Sequence, residues 1–171
     1  MDIATSQFRI IEYDSKYRES CEDLLVELEE FLITLDKDNL DVLGENYKEK
    51  MLEIELKQIV KYSGKCFLAT MDGIAVGMIM GIQREYSPDD SLDYLCPKAG
   101  VITEFIVTKE YREHTIGKAL LKHIEDYFRC IGCTHTFVNI FAYNKIGINF
   151  YEREGYHPRM ITSIKPLCQF D

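Results

Sequence analysis

Three groups of residues in this chain have the types and spacing to do chemistry. The first is a polar connection, TKEYREHTIG, set between an apolar strand pattern, VITEFIV, and an amphipathic helix pattern, KALLKHIEDYF. Chain entering a helix presents unpaired backbone N–H groups and the positive end of the helix dipole, and together these bind phosphate. Lys109, Arg112, Lys118 and Lys122 add positive charge nearby. A nucleotide P-loop is excluded, because Gly117-Lys118 is followed by Ala119 and Arg112 stands where that motif needs its upstream glycine. The second group is Glu104, the one acid in VITEFIV. A carboxylate there either faces a solvent-filled cleft or must be paired, and in a cleft it can act as a general base. The third is Asn144 with Tyr151, seven residues apart and so about two helical turns apart on one face. Cys130-x-x-Cys133 with His135 invites a zinc or redox reading. No second ligand pair exists for a tetrahedral site, however, and no metal is expected.

The elements that must position these residues follow from periodicity. Strand patterns cover Phe8 to Tyr13, Cys66 to Met71, Ile74 to Ile82, Val101 to Val107 and Thr136 to Tyr143, with a last extended stretch from Tyr156 to about Pro166. Helical spacing covers Cys21 to Leu35, Tyr47 to Tyr62, Gly117 to Ile131 and a short helix from Asn144 to Glu154. Gly132 and Gly155 end the last two, and Asn144 caps the fourth. The order predicts a mixed α/β (α+β) sheet flanked by helices, in one domain over residues 1–171.

The loop and the helix beyond it resemble the GNAT superfamily of acetyl-CoA-dependent N-acetyltransferases. The phosphate-loop pattern of that family, Arg/Gln-x-x-Gly-x-Gly/Ala, is matched by Arg112-Glu113-His114-Thr115-Ile116-Gly117, and a second signature follows in YNKIGINFYEREGY, with Asn144, Phe150-Tyr151 and Gly155-Tyr156. The resemblance implies a central, mostly antiparallel twisted sheet of six to seven strands with about four helices. It implies acetyl-CoA as cosubstrate, with Ile106 and Val107 offering main-chain hydrogen bonds and the N–H of Val107 polarising the thioester carbonyl. Arg112, Glu113, His114, Thr115, Ile116, Gly117 and Lys118 would cradle the pyrophosphate, and Asn144 would sit on the cofactor side. Tyr151 would protonate the departing thiolate, and Glu104 would take the proton of the amine, directly or through water. Thr115 departs from the pattern, since a β-branched residue resists the positive φ that the family's glycine adopts. That departure keeps a noncatalytic acyl-CoA-binding module open beside the enzyme. A homodimer is an expectation from the family alone.

Composition bounds these readings. With 171 residues, 46% hydrophobic and 29% charged, the chain can bury about 70% of its unfolded surface without disulfides. The net charge of -9 argues against nucleic acid as a partner. No apolar run is long enough for a membrane helix, no secretory signal is visible, and six scattered cysteines suit a reducing cytoplasm. The charge is unevenly placed. Glu19 to Gln58 holds thirteen acids against four lysines, a net of -9, while the rest is balanced. That segment either draws a cationic acceptor, such as a polyamine, aminoglycoside or basic peptide amine, or is merely a solvated face.

Overall fold

The structure, a computed structural model, describes residues 8–112 and 115–167. Five strands form one sheet in chain order: β1 (Arg9–Glu12), β2 (Lys65–Met71), β3 (Ile74–Gln83), β4 (Ala99–Val107) and β5 (His135–Val138). The first four pair antiparallel, and β5 joins β4 in parallel over Ala99 to Ile102. Helices α1 (Arg18–Leu35) and α2 (Tyr47–Lys61) cover one face, where Cys21, Leu24, Leu25 and Leu52 are buried with Leu68, Met78, Met80 and Ile106. Helix α3 (Ile116–Cys130) covers the other with Ile116, Leu120, Leu121, Ile124 and Phe128, joined there by Tyr151 of α4 (Lys145–Arg153). Each helix thus buries the apolar stripe that its period of 3.6 places on one side. No helix among the described residues is long and apolar enough to cross a membrane.

The sheet has fewer strands than expected. Among the described residues there are five rather than six to seven, and β5 stops at Val138 instead of reaching Tyr143. The stretch after Tyr156 is extended but pairs with nothing in the sheet. Its residues 157–167 are exposed, and Pro158 and Pro166 have no N–H to give a ladder. Apolar alternation makes a segment fit to be a strand, but only a partner edge makes it one.

Where α3 crosses β4, two glycines let helix and sheet approach. A Cβ on Gly100 would fall 2.3 Å from the Phe128 ring, and one on Gly81 would fall 2.7 Å from it. Phe128 is fully buried, so the ring has nowhere to retreat. Gly100→Ala is expected to lower unfolding free energy by about 1–3 kcal/mol, the usual cost of overpacking, read as a lower denaturant midpoint with an unchanged m-value.

Candidate active site

The site begins with an extra residue in β4. Met80 of β3 stands opposite Glu104 and its neighbour Gly81 stands opposite Ile102, so Thr103 has no partner of its own and forms a β-bulge. At a side-chain period of two, Ile102, Glu104 and Ile106 would share a face. They do not. Ile102 packs in the core under α3, whereas Ile106 packs in the core under α1 and α2. The bulge has reversed the strand's facing, turning Glu104 toward α2. Beyond it the β4–β5 pairing also ends, at Ile102 opposite Val138.

The edge so released carries usable hydrogen-bonding groups. Thr108 donates its N–H to the Val76 carbonyl of β3 at 3.0 Å. By alternation Ile106 also turns its main-chain groups toward β3, and Val107 turns its own the other way, into the opening. The Val107 carbonyl there accepts from Arg112 Nε at 2.9 Å. Of the two expected main-chain sites, then, Val107 faces the opening and Ile106 is committed to the sheet.

The helix start of α3 closes one end of this opening. Ala119 N–H to the Thr115 carbonyl, at 3.0 Å, is the first rung of the helix ladder. The N–H groups of Ile116, Gly117 and Lys118 therefore precede the ladder and point out of the helix. Gly117 sits against Phe105 and Phe150, whose rings are 5.4 Å apart. Ile116 contributes only its backbone, because its side chain is a core residue. Glu113 and His114 lie outside the described residues. Arg112 and Lys118 are less available than their charge suggested: Arg112 also reaches Glu27 at 3.6 Å and stacks over Phe31, and Lys118 pairs with Glu154 of α4 at 3.3 Å. Thr115, at the head of the helix, has φ +64°, the left-handed conformation that glycine adopts freely.

On the α4 side, Asn144 accepts from Gly147 N–H at 2.8 Å and caps the helix. Tyr151 is 6% exposed, ringed by Phe105, Phe150 and Tyr156. Burial pushes its phenol well above the ordinary tyrosine range, so it stays protonated. Its hydroxyl makes no hydrogen bond to a described residue. Tyr156, by contrast, is tied to Glu125 of α3 at 2.8 Å.

On the opposite face, Glu104 is pushed up to about 8 by burial, then by the nearby charges of Glu55 and Glu29. Burial also raises Glu55, and the Thr103 hydroxyl beside it, within reach of its carboxylate, acts in the opposite direction. Glu29 is raised by burial and by Asp41. Tyr47, whose hydroxyl lies 3.4 Å from Glu29, is raised by burial and by the same acids. These neighbours of Glu104 were not singled out from the sequence. A signal existed for Glu55, which is three residues past Leu52 and four before Ile59 and so falls on the apolar stripe of α2.

A parallel strand pair that ends at the bulge, a helix start with outward N–H groups, a raised carboxyl and a buried phenol are gathered along β4 of an α/β fold. Comparison with known proteins makes that class specific. Residues 11–156 match the model of the acetyltransferase (GNAT) family. The chain belongs to that family. It is 33% identical over 101 residues to an uncharacterized N-acetyltransferase of Methanocaldococcus jannaschii, covering 58% of this chain and spanning 57% of that relative's length. Among solved structures, an aminoglycoside antibiotic 6'-N-acetyltransferase of Acinetobacter haemolyticus superposes with a TM-score of 0.68 at 15% identity, covering 94% of this chain and 99% of that one. Glucosamine-6-phosphate N-acetyltransferase of Arabidopsis thaliana gives a TM-score of 0.63 at 20% identity, covering 95% and 99%. An aminoglycoside N-acetyltransferase solved with CoA gives 0.65 at 14% identity, covering 94% and 100%. At these identities the likeness shows a shared fold.

Two predictions come from this geometry. A left-handed L-residue costs about 1–2 kcal/mol, partly offset on replacement by the roughly 0.5–1 kcal/mol of extra unfolded-state freedom that glycine brings. Thr115→Gly should therefore raise the thermal midpoint by about 2 °C, while Thr115→Ala, which keeps the strain, should not. Glu104 supplies the second. Its carboxyl is raised from 4.5 to about 8 in the folded chain, so at low pH it is neutral folded or unfolded and costs nothing. As pH climbs, the unfolded chain gives up the proton that the folded one retains, and stability is lost until pH passes the folded value. Glu104→Gln should match the parent near pH 4 and gain on it steadily up to about pH 8, measured by urea unfolding across pH.

Proposed function

We propose that the chain is an N-acetyltransferase that moves the acetyl group of acetyl-CoA to a primary amine by direct transfer in a ternary complex. The observation that carries this reading is the position of β4 beyond its bulge. One strand offers an outward N–H at Val107, a carboxyl on one face at Glu104 and, packed on its other face through Phe105, a phenol at Tyr151. The free N–H groups at the start of α3 are where a pyrophosphate would bind, and Thr115 retains them despite its side chain. The Asn144 amide oxygen is taken by the cap, leaving its NH₂ as the group available to a ligand.

In this scheme Glu104 takes a proton from the acceptor ammonium, freeing the nitrogen lone pair to form a bond to the acyl carbon. Val107 N–H holds the charge that develops on the acyl oxygen. As the carbon–sulfur bond breaks, Tyr151 passes its proton to the sulfur. The base titrates at about 8, and the acid is protonated throughout the working range. Two structural relatives, an aminoglycoside 6'-N-acetyltransferase and glucosamine-6-phosphate N-acetyltransferase, are named for amine acceptors and support an amine here as well. The alternative, a noncatalytic acyl-CoA-binding module, predicts CoA binding with no thiol release from acetyl-CoA across a panel of amines.

Tyr151→Phe is expected to lower kcat by about 10²-fold or more with little change in CoA affinity, the size typical of a lost general acid. Glu104→Gln should abolish the acidic limb of the kcat/KM profile, centred near pH 8 in the parent. An unchanged limb would remove Glu104 from the base role.

A further inference from the structure

The acids around Glu104 have no cation. Glu29, Glu55 and Glu104 converge from α1, α2 and β4, and none joins an ion pair among the described residues. Of the other acids on these helices, Glu22 pairs with Arg18, Asp23 with Lys48 and Glu53 with Lys57, while Glu19, Glu30 and Glu49 are exposed to solvent and need no partner. An independent sign of a missing partner lies beside the cluster. Glu55 is 8% exposed, and neither its buried Oε2 nor the buried Oγ1 of Thr103 beside it makes a hydrogen bond of good geometry to a described residue. Buried polar atoms without partners cost about 1–3 kcal/mol each, more when charged, so both fit a donor arriving with a ligand.

The reacting amine cannot be that donor for all three acids. It must be uncharged when it attacks, having given its proton to Glu104, and so it brings no positive charge to Glu55 and Glu29. We infer that the acceptor carries two cationic nitrogens, one reacting beside Glu104 and the other held as an ammonium by Glu55, Thr103 and Glu29. The inference rests on the acyl-transfer reading and adds its substrate class, a linear diamine or polyamine. Thr103 Oγ1 accepts one ammonium hydrogen, Glu55 Oε2 a second, and Glu29, already reached by Tyr47, completes the charge. The bulge that turns Glu104 toward the acceptor thus also supplies a ligand for the second nitrogen.

The test is calorimetric titration with propane-, butane- and pentane-diamine against the matching monoamines, in buffers of different ionisation heat. At least one diamine should bind about tenfold tighter than its monoamine, the worth of one charge-assisted hydrogen bond, and should drive protons off the protein. Glu55→Gln and, separately, Thr103→Val should reduce that preference while leaving CoA affinity at the parental value. Thr103→Val is near-isosteric and carries the test should Glu55→Gln fail to fold. Equal affinities for diamines and monoamines, or a preference that survives both substitutions, would overturn the docking site. Thiol release separates this from the underlying reading. Diamine preference without any acetyl transfer sinks the enzyme and leaves the site, whereas equal binding and turnover of monoamines and diamines sinks the site and leaves the enzyme.

Discussion

One extra residue in β4 is the constraint on which the rest of the molecule depends. Without Thr103 as a bulge, Glu104 would share the face of Ile102 and point into the apolar core under α3, where a carboxylate could not ionise. The parallel pairing with β5 could also run on, and the Val107 N–H would be spent on a ladder bond. With the bulge, the same nine residues of β4 form a core strand at one end and a working edge at the other. Helices on both faces hold the two ends apart, α3 through Ile102 and Phe105 and α1 and α2 through Ile106. Such a device tolerates little packing error, and Gly100 beneath Phe128 shows how close the approach at its base is.

The bulge also organises charge. The sequence places the whole excess of nine negative charges between Glu19 and Gln58, which α1 and α2 now carry against one face of β4. Exposed pairs such as Lys48–Asp23 and Lys57–Glu53 neutralise part of the outer surface and contribute little to stability. Among the acids left without an ion pair in the described residues, Glu29, Glu55 and Glu104 are the ones gathered beside β4. The opposite polarity, free N–H groups and a helix dipole, lies at the start of α3. Under the proposed reading, an anionic cofactor and a cationic acceptor would meet fields of opposite sign at the two places.

Helices α1 to α3 and strands β1 to β4 were legible because their apolar residues recur at 3.6 or 2 over long runs, and burial of that stripe decides their structure. The far end of β5 and the stretch after Tyr156 were not, because a strand there depends on an edge that the splayed sheet does not present. Glu104 is singled out in the sequence as the acid of an apolar strand, and Tyr151 and Val107 through the family resemblance that two ordered motifs carry. The bulge could not be read. A single unpaired residue leaves no trace in periodicity, and without it the facing of Glu104 is undetermined. Thr115 was legible as a departure, and the structure resolves it in favour of the glycine-like turn, with a β-branched residue held at φ +64°. Glu55 was legible in principle, as a carboxylate on the buried stripe of α2, but its meaning comes only from Thr103 and Glu104 across the gap.

Burial raises both Glu104 and Tyr151, and in the proposed transfer it would suit them to opposite tasks. A carboxyl lifted to about 8 is half ionised where an amine can be made nucleophilic, so desolvation turns a poor base into a useful one. A phenol raised above its ordinary value keeps its proton, and in that scheme would give it as the thiolate left. Its higher value also makes that transfer uphill, which requires the hydroxyl to lie close to the sulfur rather than to be a strong acid. The ring cage of Phe105, Phe150 and Tyr156 holds the Tyr151 ring in one place. The two groups stand on opposite faces of one strand, so neither proton can short-circuit to the other carrier. That separation is a consequence of alternation in β4 after its bulge, since Glu104 and Phe105 are consecutive residues and must face opposite ways.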